Sequence, residues 1–138
     1  MNIDEIRNGI VIDHIMAGKS MEIYKFLRLE ELDCSVAIIK NAQSGKMGKK
    51  DIIKIDGYPE IDLNILGYID PEVTINIIKN GERIEKKSPE LPDKIENVLK
   101  CKNPRCITSV EPGIPHIFRL TEKESRTYRC IYCEAKAK

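Results

Sequence analysis

The first hundred residues alternate between two apolar rhythms. Gly9 to Met16 (GIVIDHIM) is a β-branched run whose faces carry Ile10, Ile12 and His14 against Val11, Asp13 and Ile15, which predicts a strand. From Lys19 to Leu29 the spacing changes: Ile23, Phe26 and Leu27, and then Glu30, fall at helical intervals among good helix formers. Ser35 to Lys40 (SVAIIK) returns to the strand rhythm, and Ala42 to Lys49 (AQSGKMGK) reads as a mobile turn. Asp51 to Asp56 (DIIKID) predicts a third strand, closed by Tyr58-Pro59. Pro59 to Leu66 offers a short helix on Ile61, Ile65 and Leu66; Asp70-Pro71 turns the chain, and Val73 to Lys79 (VTINIIK) predicts a fourth strand. Asn80-Gly81 is the pair most favoured in a type I′ hairpin, so Glu82 to Lys86 is expected to return antiparallel.

The order strand, helix, strand, strand, helix, strand, with an added hairpin strand, predicts an α+β fold. It is the split βαβ arrangement of ferredoxin-like folds, an antiparallel sheet with two helices on one face. Ser88 to Asp93 (SPELPD) holds two prolines in six residues and reads as a linker. The expected domains are therefore 1–92 and 93–138, the second small and all-β. Lys94 to Leu99 fits either a helical turn or a short strand. The segment from Cys101 onward is below the roughly 40 residues at which a domain needs a metal or disulfides to fold.

Four of the five cysteines lie in that segment, as C-x4-C (Cys101, Cys106) and C-x2-C (Cys130, Cys133). Each pair can close a tight knuckle around one ion. Four thiolates satisfy tetrahedral zinc completely, so the predicted role is structural, one Zn2+ per chain with no open position for substrate. Two disulfides, buried free thiols and an iron–sulfur centre are the alternatives; disulfides are disfavoured because nothing indicates secretion. Cys34 stands alone between a helix and a strand, as a packing cysteine does.

Charge narrows the partner classes. The 23 basic and 22 acidic residues leave a net charge of +1, which provides no global pull toward nucleic acid or an anionic membrane. Fifteen basic and 18 acidic residues precede Cys101, and 8 basic and 4 acidic follow it, so the two parts carry −3 and +4. No apolar run approaches the roughly 18–20 residues of a membrane span, and no basic-then-apolar signal segment follows Met1; the expected location is cytoplasmic.

The polar groups of the first part suggest binding. Asp13-His14 interrupts an apolar strand and suits either sugar hydroxyls and phosphate oxygens or a solvent-facing edge. Lys46, Lys49, Lys50 and Lys54, with Lys86 and Lys87, suit a polyphosphate or a solvated face. There is no Walker or Rossmann glycine pattern, and neither His14 nor His116 lies in a catalytic motif. The residues thus describe a non-catalytic binding domain joined to a zinc domain. A zinc-ribbon nucleic-acid-binding protein, using Lys46–Lys54 and Arg119–Arg129, is the alternative, weakened by the near-neutral charge.

Several segments in order resemble the regulatory chain of aspartate carbamoyltransferase: GIVIDHI at 9–15, SGKMGKKDIIKID at 44–56, TINIIKN at 74–80, SPELPDKIENVLKC at 88–101, and the four cysteines. The resemblance implies an amino-terminal allosteric domain binding nucleoside triphosphates of the CTP/ATP class. It implies a zinc domain that docks on the catalytic chain, pairing of regulatory chains as homodimers, and linkage of catalytic trimers in pyrimidine biosynthesis. The nucleotide positions it implies are Ile3, Ile6, Val11, Asp13, His14, Ile52, Lys54, Asn76, Ile78 and Lys86. Lys86 and His14 would meet phosphate, Asp13 and Lys54 the ribose, and the backbone near Ile6 the base. Asn103, Arg105, Tyr132 and Glu134 would face the catalytic chain. Three positions depart from the familiar pattern: Gly81 replaces a tyrosine, Arg83 an apolar residue and Arg105 an asparagine.

Overall fold

A computed structural model of the chain describes residues 6–137 and divides into two compact units, Met1–Glu90 and Leu91–Lys138. The first unit runs β1 (Gly9–Met16), α1 (Ser20–Phe26), a 3-10 turn at Leu29–Glu31, β2 (Val36–Ser44) and β3 (Gly48–Asp56). A 3-10 turn at Leu63–Ile65 then leads into α2 (Leu66–Ile69), followed by β4 (Thr74–Lys79) and β5 (Glu82–Lys87). The strands form one sheet in the order β2-β3-β1-β4-β5, with every neighbouring pair antiparallel. This is the ferredoxin-like split βαβ arrangement with β5 added at an edge.

One face of the sheet is almost wholly isoleucine. Ile12 pairs with Ile53 on one side and Ile75 on the other, and none of the three is more than 1% exposed. Ile10, Ile15 and Ile55 join them, and Ile23, Leu27, Leu29, Ile65, Leu66 and Ile69 from the helical segments complete the core. Each fully buried isoleucine contributes roughly 1.5–3 kcal/mol of transfer free energy. Gly9 is required at the start of β1, because a Cβ there would stand 2.1 Å from the Ile55 carbonyl oxygen.

Strict alternation along β1 predicts Ile15 on the face opposite Ile12. Both are instead buried in the core, because the β1–β3 register shifts between Ile12 and Ile15. His14 is the extra residue, in left-handed backbone at φ 60. A bulge of this kind inserts one residue and restores the apolar phase beyond it. The consequence is that Asp13 and His14 both escape the core.

The other elements follow the pattern with shifts at their ends. The turn expected across Ala42 to Lys49 contracts to residues 45–47, and β2 and β3 run on to Ser44 and from Gly48. Gln43 pairs with Lys49 and Ser44 with Gly48 there, and Met47 N donates to Ser44 Oγ. The second helix starts later than the pattern predicts, where Asp62 accepts from the Asn64 N–H and initiates the 3-10 turn. Asn80 and Gly81 both take positive φ, as a type I′ hairpin requires.

In the second unit β6 (Lys94–Glu96), β7 (Ile117–Glu122) and β8 (Thr127–Cys130) form an antiparallel sheet, and one helical turn, α3 (Ile107–Val110), interrupts the β framework. The segment after the linker is thus a short strand. Ile95, Phe118 and Tyr128 form its small core, and the Tyr128 hydroxyl donates to the Pro92 carbonyl at 2.6 Å. No helix among the described residues is long and apolar enough to cross a membrane.

Candidate effector face and metal centre

The sheet face away from the isoleucine core collects the charged and polar residues of the first unit. Strand register aligns Ala37, Lys54, Val11, Asn76 and Lys86 in a single row across all five strands. Directly paired residues on antiparallel strands project to the same side, with neighbouring strands about 4.8 Å apart. Four of the ten expected nucleotide positions therefore share one row. Ile52 and Ile78 lie two residues along their strands from Lys54 and Asn76, on the same face. Asn76 is 7% exposed; its side-chain amide donates to the Val11 carbonyl, and its Oδ1 has no partner. Ile6 packs against Gly9 before β1 begins. Ile3 lies outside the described residues.

At the end of this face Asp13 forms an ion pair with Lys50 at 2.9 Å and accepts from the His14 N–H. Burial pushes the Asp13 carboxyl up, but the Lys50 ion pair and the His14 N–H outweigh it and hold it below the usual carboxylate range. Lys50, read from sequence as part of a lysine-rich stretch suiting a polyphosphate or a solvated face, is thus partnered by a carboxylate. His14 Nδ1 lies 3.2 Å from Thr74 Oγ1.

Behind the bulge stands Asp51, fully buried, which sequence reading passed over as the first letter of a strand. Its Oδ2 accepts from the N–H groups of Gly18 and Ser20, and its Oδ1 from the N–H of Asn41, itself left-handed at the β2 bulge. Burial again raises this carboxyl, and the Ser20 side chain with the Asn41, Gly18 and Ser20 N–H groups lower it further than burial raises it. Asp51 ties together the start of α1 and the irregular ends of β1 and β2. The available signal was an acid opening an otherwise apolar strand.

In the second unit all four cluster thiols lie within 4.8 Å of one another. Cys101 Sγ is 3.5 Å from Cys133 Sγ, and Cys106 Sγ is 3.7 Å from Cys130 Sγ. A disulfide would require about 2.05 Å. Tetrahedral zinc with bonds of 2.3 Å sets its sulfurs about 3.8 Å apart. The spacing therefore fits one ion and excludes the disulfide alternative for this geometry.

Each close pair joins a thiol to a more acidic neighbour. Burial pushes Cys101 up to about 12, whereas the Ala135 N–H and the Asn103 side chain bring Cys133 down to about 6. The Thr108 hydroxyl, donating to Cys106 Sγ at 3.1 Å, lowers Cys106, and burial raises Cys130. Burial thus favours the protonated thiol at Cys101 and Cys130, and hydrogen bonds favour the thiolate at Cys106 and Cys133.

The four expected interface residues flank these knuckles. Arg105, Tyr132 and Glu134 are exposed, whereas half-buried Asn103 works locally: its Oδ1 accepts from the Arg105 N–H and its side chain acts on Cys133. Exposed apolar groups surround them, with Val110 65%, Ile131 42% and Tyr132 41% exposed.

An antiparallel sheet with one polar face, followed by a four-cysteine knuckle, defines a class of protein: an α+β module joined to a structural metal module. The allosteric-domain model of the aspartate carbamoyltransferase regulatory chain matches residues 1–90, and the metal-binding-domain model of the same chain matches residues 93–138. Relatives named aspartate carbamoyltransferase regulatory chain include that of Clostridium botulinum strain Hall, 57% identical over 134 residues (97% of this chain, 92% of the relative). The Clostridium tetani protein is 51% identical over 135 residues (97% and 94%), and the Bifidobacterium longum protein 43% over 138 (100% and 99%). The chain belongs to the aspartate carbamoyltransferase regulatory chain family, and it is regulatory, not catalytic. Its metal-binding domain and cysteine geometry fit a single zinc ion.

Proposed function

We propose that this chain senses nucleoside triphosphates of the CTP/ATP class and transmits their binding to catalytic trimers of aspartate carbamoyltransferase, in the cytoplasm, within pyrimidine biosynthesis. The observation that carries the reading is the cross-strand row Lys54–Val11–Asn76–Lys86, with Asp13 and His14 further along β1 from Val11. Lys86 and His14 bind phosphate oxygens through charge-assisted hydrogen bonds, and Lys54 and Asp13 hold the ribose. The unpartnered Asn76 Oδ1 accepts from the ligand, since a buried acceptor left unmade costs about 1–3 kcal/mol. Ile3, Ile6, Val11, Ile52 and Ile78 wall the base.

The first unit, taken as residues 1–92, pairs with a second copy in a regulatory homodimer. The second unit, 93–138, meets the catalytic chain through Asn103, Arg105, Tyr132 and Glu134, with zinc fixing both knuckles. An effector shifts the quaternary equilibrium only by its differential affinity for the two states, typically about 1–3 kcal/mol. The test is to mix the full chain with its cognate catalytic trimer and assay carbamoyl transfer against aspartate, with and without CTP and ATP. A complex whose aspartate response moves with nucleotide supports the reading. Absence of a complex, or a response indifferent to both nucleotides, overturns it.

A further inference from the structure

The second unit carries a row of charge that its own packing does not explain. Lys94 pairs with Arg119, Arg119 with Arg129, and Arg129 bridges to Lys136, so four basic side chains project to one face of the sheet. Strand spacing makes this row about 14 Å long. Like charges directly opposite one another destabilise a sheet. Among the described residues none of the four has a carboxylate within ion-pair distance, and Arg129 donates only to the Glu134 backbone carbonyl. The row opens into a concavity of about 310 Å³ shared with Ile131, Tyr132 and Glu134.

We propose that this row is a docking strip for a line of carboxylates on the catalytic chain, extending the knuckle surface sideways onto the sheet. The proposal rests on the reading of the second unit as the module that meets that chain. The positive field is one row wide. Glu96, two residues from Lys94, lies on the same face opposite Ile117, and Glu134 lines the concavity. A field bounded by acids and by exposed Ile131 and Tyr132 matches a short run of carboxylates on a protein. A phosphate backbone would call for positive charge continued along its track.

The free chain bears the repulsion until its partner neutralises it, so stability and docking should respond in opposite directions. Arg119→Glu, at a position that is not itself a metal ligand, sets a carboxylate between Lys94 and Arg129. It should raise the melting temperature of the second unit by about 2–4 °C. It should also slow association with the cognate trimer by about 10-fold and flatten its salt dependence. Arg119→Lys should behave as wild type, zinc content should not change, and Lys94→Gln/Arg119→Gln provides the same test without a new charge. If the wild-type complex forms and these variants join it at the wild-type rate and salt dependence, the strip is wrong and the broader reading stands. If wild type forms no complex, both fall. Tight binding of a 20-nucleotide single strand, lost in Arg119→Glu while the trimer complex is unaffected, would overturn the proposal in favour of nucleic acid.

Discussion

Lys54 and Lys86 belong to strands separated by two others, yet they stand on one row of the sheet with only Val11 and Asn76 between them. On the proposed reading, a row of that length seats a ligand longer than a single phosphate, with Lys54 at the ribose and Lys86 at the phosphates. Lys54→Gln and Lys86→Gln should each weaken nucleoside triphosphate binding by about 10- to 100-fold, the worth of one charge-assisted bond. Titration calorimetry would check this, and the unfolding midpoint of Lys86→Gln, on a fully exposed strand, should barely move.

His14 tests whether the bulge serves binding or folding. Its left-handed backbone favours glycine, so His14→Gly relieves local strain while surrendering the Thr74 contact. Stability should change by less than about 1 kcal/mol, whereas affinity for triphosphate should fall sharply. Equal losses in both would mean the imidazole is structural.

Asp51 predicts the reverse. Asp51→Asn keeps the shape but discards the charge that three backbone N–H groups address, and should cost about 2–4 kcal/mol. Its carboxyl is held below the ordinary value in the fold, so its contribution is complete above the unfolded carboxylate range of about 3.9. That contribution disappears as pH falls through the lower folded value. Denaturant midpoints measured between pH 7 and 2 should show a shallower acid decline in Asp51→Asn, with Asp13 accounting for part of what remains.

Zinc removal should separate the two units. Chelation should unfold Leu91–Lys138, whose apolar core is small, and leave Met1–Glu90 with its isoleucine sheet intact. Amide spectra recorded before and after chelation would reveal selective loss of the second set of signals. Cys133→Ser should reproduce it.

Zinc affinity should also record the thiol protons. Cys101 and Cys130 must release theirs as the ion enters, and below about pH 6 Cys133 is protonated as well. Competition titrations should therefore show affinity falling with pH, more steeply below about 6 than above it.

Much of this arrangement was legible in the chain. The β1 run, the Asn80-Gly81 hairpin and the cysteine spacing each carry a local physical signal strong enough to survive folding. What escaped depends on long-range pairing. Ile15 broke the alternation because a bulge resets the phase, and nothing in GIVIDHIM marks which residue will be extra. Asp51 gave only the hint of an acid before two isoleucines; its partners at Gly18 and Asn41 come from other elements. The partnering of Lys50 and the alignment of Lys94, Arg119, Arg129 and Lys136 follow from register, which single-strand periodicity does not encode.

The order of the cysteines has one more consequence. Cys101 and Cys106 precede β7 and β8, Cys130 ends β8 and Cys133 follows it, so both hairpin strands lie inside a loop that the ion closes. How long the folded second unit survives is then a matter of rates. Its lifetime at dilution is bounded by the escape of a single ion, and a chain competing for scarce zinc would lose its grip on a partner by a clock, with no change in effector affinity.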